Sequence, residues 1–373
     1  MPTPHHPLPL SPAPRQDRLA QIEAARRAVL YREVLAPATA LEPWIERSWQ
    51  RCLASGQQPG EPLAFDVVSP QRLRHTTEAN HDLIEAARPV LDTLGRAMAH
   101  TRYFAILTNA QGVVVDVNGP IDRSDRRANL ITRIGVDLSE PSVGTTAIGA
   151  ALIEQQPVWL HRGEHFFAET AVYSCAGAPL FGPDGQCAGM LDLTGIEAIE
   201  RPELRHLVVQ SARSIENAMT LRQPHSLLVR LNWPGRALGD ESDGLLCLDA
   251  DGWVTGANPT ARQMVAQLGT GERTRIHGSE VFAMPFEMLF DASGSSGAPM
   301  EVPLWSGLRL QALSQRPGNN VPGAAARERI PLKDMEIALI RKAVADAKGN
   351  VQQAARALGI SRATVYRKLG QRP

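Results

Sequence analysis

Two pairs of short apolar runs, each pair joined by a turn containing glycine, constrain this chain more than any other feature. Tyr103-Phe104-Ala105-Ile106-Leu107-Thr108 leads through Asn109-Ala110-Gln111-Gly112 to Val113-Val114-Val115-Asp116-Val117. Ala171 to Leu180 leads through Pro183-Asp184-Gly185 to Cys187 to Leu193. Runs of this length, bounded by turn residues, read as antiparallel hairpins. Helical patterns flank them. Asp17 to Leu35 places Leu19, Ile22, Ala25, Arg26 and Val29 at steps of three and four, and Pro37 ends it. Glu42 to Ser55 has Pro43 in its first turn and Gly56 after it. Ser69-Pro70 opens a long helical region reaching Ala99, and Pro202 to Leu221 forms another. Between the hairpins, Gly144 to Leu152 reads as a strand end or loop feeding a helix, and Pro157 to Leu160 as a strand. Helices around antiparallel strands predict an α+β sandwich.

A smaller unit follows Gln223-Pro224. Asp243 to Asp249, the turn Ala250-Asp251-Gly252, and Trp253 to Asn258 read as strand, turn, strand. Thr260 to Leu268 is a short helix, Asp291 to Pro299 a loop rich in Gly and Ser, and Pro303 to Leu313 one or two more strands. Arg316-Pro317-Gly318-Asn319-Asn320-Val321-Pro322-Gly323 marks 314–330 as a flexible linker.

The last segment, 331–373, reads as all helix. Met335, Leu339 and Ala343 beside Ile337, Ile340 and Val344 make a broad apolar stripe. Gly349 can stop that helix, Asn350 can cap the next, and Gln353 sits where a capping box wants Glu or Gln. Val351, Ala355 and Leu358 share one face, Gly359 supplies a turn, Ser361 can cap a second helix, and Val365 and Leu369 point inward. This is helix-turn-helix spacing, with Arg362, Tyr366, Arg367 and Lys368 left for the outer faces.

Charge supports that reading. The whole chain is neutral, with 39 Lys plus Arg against 39 Asp plus Glu, which argues against a protein coated in nucleic acid. From Pro331 onward, however, Lys333, Arg341, Lys342, Lys348, Arg356, Arg362, Arg367, Lys368 and Arg372 face only Asp334, Glu336 and Asp346. Such a local excess is the footprint of phosphate binding. Cys52, Cys175, Cys187 and Cys247 form no C-x-x-C pair, so reduced, buried thiols in a cytoplasmic protein are expected. The proline-rich stretch 1–17 lacks the apolar core of a signal peptide and reads as a disordered tail. No apolar run is long enough to span a bilayer, so no membrane partner is expected.

The order of motifs in Ser139-Glu140-Pro141-Ser142-Val143-Gly144-Thr145-Thr146-Ala147-Ile148-Gly149, Glu164-His165-Phe166, Cys175 to Leu180 and Gly189 to Gly195 resembles a GAF sensory domain. More narrowly it is similar to the sensor of the acetoin-catabolism regulator family, which Arg47-Ser48-Trp49-Gln50-Arg51-Cys52 also matches. Thr146 stands where that family has Asn, and Tyr173 near where Trp is common. The second unit resembles a small, partly degenerate PAS-like α/β domain. Ser361 to Leu369 matches the Ser-Arg-x-Thr-x-Tyr-Arg-Lys-Leu run of a Fis-type helix-turn-helix. The resemblance implies an N-terminal helical region at 18–79, a GAF domain at 80–222, a PAS-like domain at 223–313 and an all-α DNA-binding domain at 331–373. It implies DNA contacts from Ser361, Arg362, Thr364, Tyr366, Arg367 and Lys368, with Arg362 meeting a guanine and Arg367 and Lys368 meeting phosphate.

Members of that family usually carry an ATP-hydrolysing AAA+ module between sensor and helix-turn-helix. No G-x-x-x-x-G-K-[ST] occurs in the 373 residues, nor the Gly-Ala-Phe-Thr-Gly-Ala loop that touches sigma-54. H-E-x-x-H and G-x-S-x-G are also missing, so neither catalysis nor a cofactor is expected. Candidate ligand residues are Gly144, Thr145, Thr146, His165, Tyr173 and Cys175. Gly144-Thr145-Thr146 could present amides and hydroxyls to a ligand, or could be a packed turn. His165 reads first as a loop-shaping histidine and second as a pocket residue, with no second metal ligand at suitable spacing. Cys175 reads as a small buried hydrophobe ahead of an oxidation sensor, and Trp44 and Trp49 as core. The function expected is a one-component regulator that senses a small-molecule effector and binds operator DNA as a homodimer. The alternative is an adaptor that hetero-oligomerises with a full-length sigma-54 activator, with RNA polymerase or a related regulator as a further partner.

Overall fold

The structure, a computed structural model, describes residues 15–32, 41–65, 68–269, 275–294, 298–317, 344, 351–357 and 365. The chain divides into two units, 1–317 and 318–373.

Four helices open the larger unit: α1 (Arg15–Leu30), α2 (Pro43–Ala54), α3 (Pro70–Ala79) and α4 (His81–Ala97). α1 starts inside the stretch expected to be a disordered tail and stops at Leu30 rather than Leu35; Arg32, at φ 56°, has left the helical region. The single helix expected over 70–99 is two. Asn80 sits at φ −114°, and its side-chain amide donates to Thr76 O at 2.7 Å, closing α3. The break separates α3, which buries nothing, from α4, which buries Leu83, Ile84, Leu91 and Leu94.

A five-stranded antiparallel sheet follows, built from β1 (Tyr103–Asn109), β2 (Val114–Asn118), β3 (Val158–His161), β4 (Tyr173–Phe181) and β5 (Cys187–Ile196), in the order β2-β1-β5-β4-β3. Both expected hairpins form. Side chains alternate across the sheet. Phe104, Ile106, Tyr173, Cys175 and Met190 share a core with Trp44, Ile45 and Trp49 of α2 and with the short helices α5 (Arg126–Ile131), α6 (Glu140–Val143) and α7 (Ala147–Glu154). Ala105, Leu107, Ala176, Leu191 and Leu193 share the opposite core with α4 and with α8 (Leu204–Leu221).

A second five-stranded antiparallel sheet comprises β6 (Leu227–Asn232), β7 (Gly244–Leu248), β8 (Val254–Ala257), β9 (Met300–Pro303) and β10 (Arg309–Gln315), ordered β8-β7-β6-β10-β9. Helices α9 (Pro259–Met264), α10 (Gly278–Val281) and α11 (Glu287–Ala292) supply Ala261, Val281 and Leu289 to the core on one face. The central strand β6 was not anticipated from the pattern. All six residues of its Leu-Leu-Val-Arg-Leu-Asn sequence are buried: Leu227, Val229 and Leu231 join the core on one face, and Arg230 and Asn232 on the other bond to Asp243. The expected 291–299 loop is entered by α11, and β10 runs past the expected linker start at 314. The other face of this sheet meets α8. Cys247 Sγ lies 3.4 Å from Thr220 O, and Asn258 Nδ2 donates to Asn217 Oδ1 at 2.7 Å. The β4–β5 turn also reaches this sheet, where Pro183 O accepts from Ala257 N at 2.9 Å.

In the smaller unit α12 (Val351–Ala357) begins one residue after Asn350. Ala355 and Val365 are buried together, with Val344 and Val351 packed against them. These are positions that helical spacing had assigned inward; the stripe from Met335 to Ala343, Leu358 and Leu369 lie outside the described residues.

Candidate functional site

The first sheet and the short helices beside it border a small, partly open cavity of about 30 Å³, well below the roughly 300–1,000 Å³ common for ligand sites. Register decides which strand residues reach it. On β5, Asp192 pairs with Ile106 of β1 and Gly177 of β4, and Thr194 pairs with Cys175. Alternation then sends Ile106, Tyr173, Cys175, Asp192 and Thr194 to the same side, and all five line the cavity. The end of α6 adds Val143, the start of α7 and its cap add Thr146, Ala147 and Ile148, and the loop after β3 adds His165 and Thr170.

Most of the wall is apolar, and its polar groups are deeply buried. Asp192 Oδ2 accepts from the Thr194 hydroxyl, while Oδ1 has no partner among the described residues. Burial pushes the Asp192 carboxyl up to about 7, against the smaller downward pull of Thr194. His165 Nδ1 lies 2.9 Å from Arg162 O, and Nε2 has no partner among the described residues. Burial pushes the imidazole down to about 4, so it is neutral at physiological pH. Tyr173 donates its hydroxyl to Arg127 O at 3.2 Å, and burial raises its pKa. Cys175 Sγ lies 3.5 Å from Thr194 Oγ1, and burial holds the thiol well above its ordinary range. A thiol so placed is not nucleophilic.

The N-terminal helices grip the cavity wall from outside. Glu140, almost fully buried at the start of α6, accepts from Arg51 at 2.7 and 2.9 Å and from the Ser48 hydroxyl at 2.5 Å. Ser48 also lies 2.7 Å from Thr145 Oγ1. Arg26 of α1 donates to the carbonyls of Gly163, His165 and Phe166, so the loop that carries His165 is tied down. Trp49 donates to Glu164 O at 2.9 Å. The Arg47 to Cys52 motif is therefore a clip that holds α6, α7 and the His165 loop against the sheet.

Of the six candidates from sequence, Thr146, His165, Tyr173 and Cys175 line the cavity and Gly144 and Thr145 do not. Gly144 has φ 67°, and a Cβ there would stand 2.9 Å from the Phe167 ring. Its need is conformational. Thr145 spends its hydroxyl on Ser48, and Thr146 Oγ1 caps α7 by accepting from Gly149 N at 3.2 Å. His165 Nδ1 meets the carbonyl of Arg162 within its own loop, and the residue lines the cavity. Asp192 and Thr194 were passed over. Their signal was an acid alone inside the apolar run Met190-Leu191-Asp192-Leu193, since burial of such a group needs a reason.

Gly149→Ala is expected to loosen this region. A Cβ there would sit 2.8 Å from Glu140 N, and backbone must move to admit it. The expected result is a destabilisation of about 1–3 kcal/mol in denaturant unfolding, and a loss within about 0.5 kcal/mol would show that α6 and α7 separate easily.

The expected DNA-contacting residues Ser361, Arg362, Thr364, Tyr366, Arg367 and Lys368 lie outside the described residues. Among the described residues no helix is long and apolar enough to cross a membrane.

Comparison with known proteins bears on both ends of the chain. Residues 82–219 match the GAF domain, and 331–371 match the bacterial regulatory protein family Fis. The acetoin catabolism regulatory protein of Cupriavidus necator is 34% identical over 268 residues, covering 69% of this chain and 39% of the relative. A signal-transduction and transcriptional-control protein of Clostridium beijerinckii is 27% identical over 222 residues, 59% of this chain and 35% of the relative. The acetoin dehydrogenase operon transcriptional activator AcoR of Bacillus subtilis is 24% identical over 221 residues, 59% and 36%. The chain thus matches less than two-fifths of the length of these relatives. Among solved structures, the Escherichia coli DhaR(N)–DhaL complex aligns with 74% of this chain and 99% of that chain at a TM-score of 0.45 and 15% identity.

Proposed function

We propose that this chain, which carries a GAF domain and a Fis-family segment and is related to acetoin catabolism regulators, is a ligand-responsive transcription regulator. One observation carries the reading. A largely apolar cavity in the GAF domain holds two buried polar atoms without partners among the described residues, Asp192 Oδ1 and His165 Nε2. A small effector would supply the missing hydrogen bonds there. We read 223–313 as a PAS-like relay, because Cys247 of β7 and Asn258 tie its sheet to α8, and Ala257 of β8 ties it through the Pro183 turn to the hairpin that lines the cavity. The terminal segment is the output: a cytoplasmic homodimer would set two recognition helices about one DNA turn apart. Acetoin is the first effector to test, given the relatives' names.

The test is footprinting of operator DNA by the full chain with and without acetoin. Effector-dependent, sequence-specific protection is expected. Uniform protection that salt abolishes would instead favour an adaptor acting through protein contacts. In the same assay Arg362→Ala is expected to relax specificity at one base position and cost about 1–3 kcal/mol. Equal losses on operator and random DNA would remove Arg362 from base contact. With no phosphate-binding loop in its sequence, the purified protein is expected to hydrolyse no ATP whether or not DNA is present. Measurable turnover would overturn the motor-free reading.

A further inference from the structure

At about 30 Å³ the cavity beside the first sheet has room for little more than a water, so the sensor reading needs a wall that moves. We propose that α1 is a releasable strap over the loop 162–167, and that lifting it opens the cavity at His165. The inference rests on the sensor reading for what the opening admits, and its test uses no effector.

The loop is held from outside. Four consecutive carbonyls, from Gly163 to Phe166, accept from side chains of the N-terminal helices. Arg26 of α1 donates to Gly163 O at 2.7 Å, to His165 O, and to Phe166 O at 3.0 Å; Trp49 of α2 donates to Glu164 O at 2.9 Å. Two turns earlier on α1, Arg18 pairs with buried Glu164 at 2.8 Å and with Glu200 at 3.0 Å. The turn that enters the loop needs this hold. Arg162 stands at φ 54°, a left-handed conformation that is strained for a residue with a side chain. The strap also lies close. A Cβ at Gly163 would sit 3.1 Å from Ile22 Cγ2 and 3.2 Å from Arg26 Cδ. Of the two clamping helices, α1 is the easier to release. Its buried apolar residues are Ile22, Ala25 and Leu30, with Leu19 and Tyr31 exposed beside them, whereas α2 buries Trp44, Ile45, Trp49 and Cys52. Less apolar area returns to water when α1 lifts, and gating elements are drawn from the least stable parts of a fold. The α6 part of the wall is held separately, by Ser48 and Arg51 of α2. Lifting α1 therefore frees the His165 side of the cavity and leaves α6 in place.

Cys175 can report the opening, because its buried thiol lines the cavity. Cys247, buried where the second sheet meets α8, serves as the control. The experiment labels the full chain with methyl methanethiosulfonate and follows each cysteine by peptide mass spectrometry. Arg26→Met leaves three carbonyls without their donor, and Gly163→Val pushes α1 away while keeping Arg26. Each is expected to speed labelling of Cys175 by about tenfold or more while Cys247 keeps its wild-type rate. Ile22→Cys combined with Gly163→Cys places two thiols within reach of one another. Oxidising them to a disulfide is expected to slow Cys175 labelling below the wild-type rate. In the wild-type protein, hydrogen exchange is expected to show α1 amides opening before those of β1 and β5. An oxidised lock that leaves the Cys175 rate unchanged would overturn the strap, because the cavity would then open by another route. Cys175 and Cys247 accelerating together would also overturn it, because the variants would then loosen the whole unit. Either result leaves the sensor reading standing, and the operator footprint tests that reading separately.

Discussion

Asp192→Asn is expected to stabilise the protein at about pH 8 by an amount on the order of a few kcal/mol, and to do almost nothing near pH 4. Asp192 is fully buried, and its carboxyl is pushed up to about 7 because burial penalises the charge and no cation compensates. In the unfolded chain the same group ionises near its ordinary value of about 4. Between those values the folded state holds a proton that the unfolded state has released, so stability falls as pH rises, by about 1.4 kcal/mol per unit. Above the folded value the full cost is present and constant. Asparagine cannot ionise, so the variant escapes that fall. Melting temperatures of both proteins across this range provide the test. A difference that does not change with pH would show that Asp192 is not the titrating group. Glu164 and Glu216 are also pushed up to about 7 by burial, so a residual fall over the same interval should persist in the variant.

Trp49→Ala is expected to cost about 3–5 kcal/mol, or roughly 10 °C in melting temperature for a unit of this size. The indole is fully buried, its N–H satisfies Glu164 O at 2.9 Å, and the Arg26 guanidinium carbon lies 5.7 Å from its ring centroid. Removing it opens a void under α1 and α2 at once. Those helices hold the His165 loop through Arg26 and the start of α6 through Ser48 and Arg51. Weaker effector binding should accompany the lost stability even though Trp49 does not line the cavity. Trp49→Phe retains most of the buried area and is expected to lose only about 1 kcal/mol with the hydrogen bond. A melting temperature unchanged by the alanine variant would mean that residues 15–54 are an appendage to the sensor rather than part of its core.

Much of this architecture was legible before any coordinates. Both hairpins announced themselves through short apolar runs and glycine turns. Trp44 and Trp49 read as core and are core. Val351, Ala355 and Val365 were assigned inward by helical spacing and pack together. Strand β6 was missed although Val229-Arg230-Leu231-Asn232 alternates apolar and polar; Leu227, Val229 and Leu231 join the core shared with α9–α11, and Arg230 and Asn232 on the other face bond to Asp243. The break at Asn80 lies between two stretches that both read as helix, and only one of them finds a core to bury against. In the sequence Gly144 and Thr145 stay open between ligand contact and packed turn, because their residue types suit both. One serves a positive φ and the other serves Ser48.

The sequence by itself determined the local elements and their order: hairpins between helices, a second small sheet, and a basic terminal segment. It did so because periodicity and turn chemistry act over a few neighbouring residues. Which side chains meet was decided only by tertiary structure. Ser48 reaches Glu140 across 92 positions of chain, and Arg26 reaches Phe166 across 140. Asp192 becomes a cavity residue only because the pairing of β5 with β1 and β4 turns it toward Tyr173 and Cys175. A shift of one residue in that register would turn it toward the opposite core.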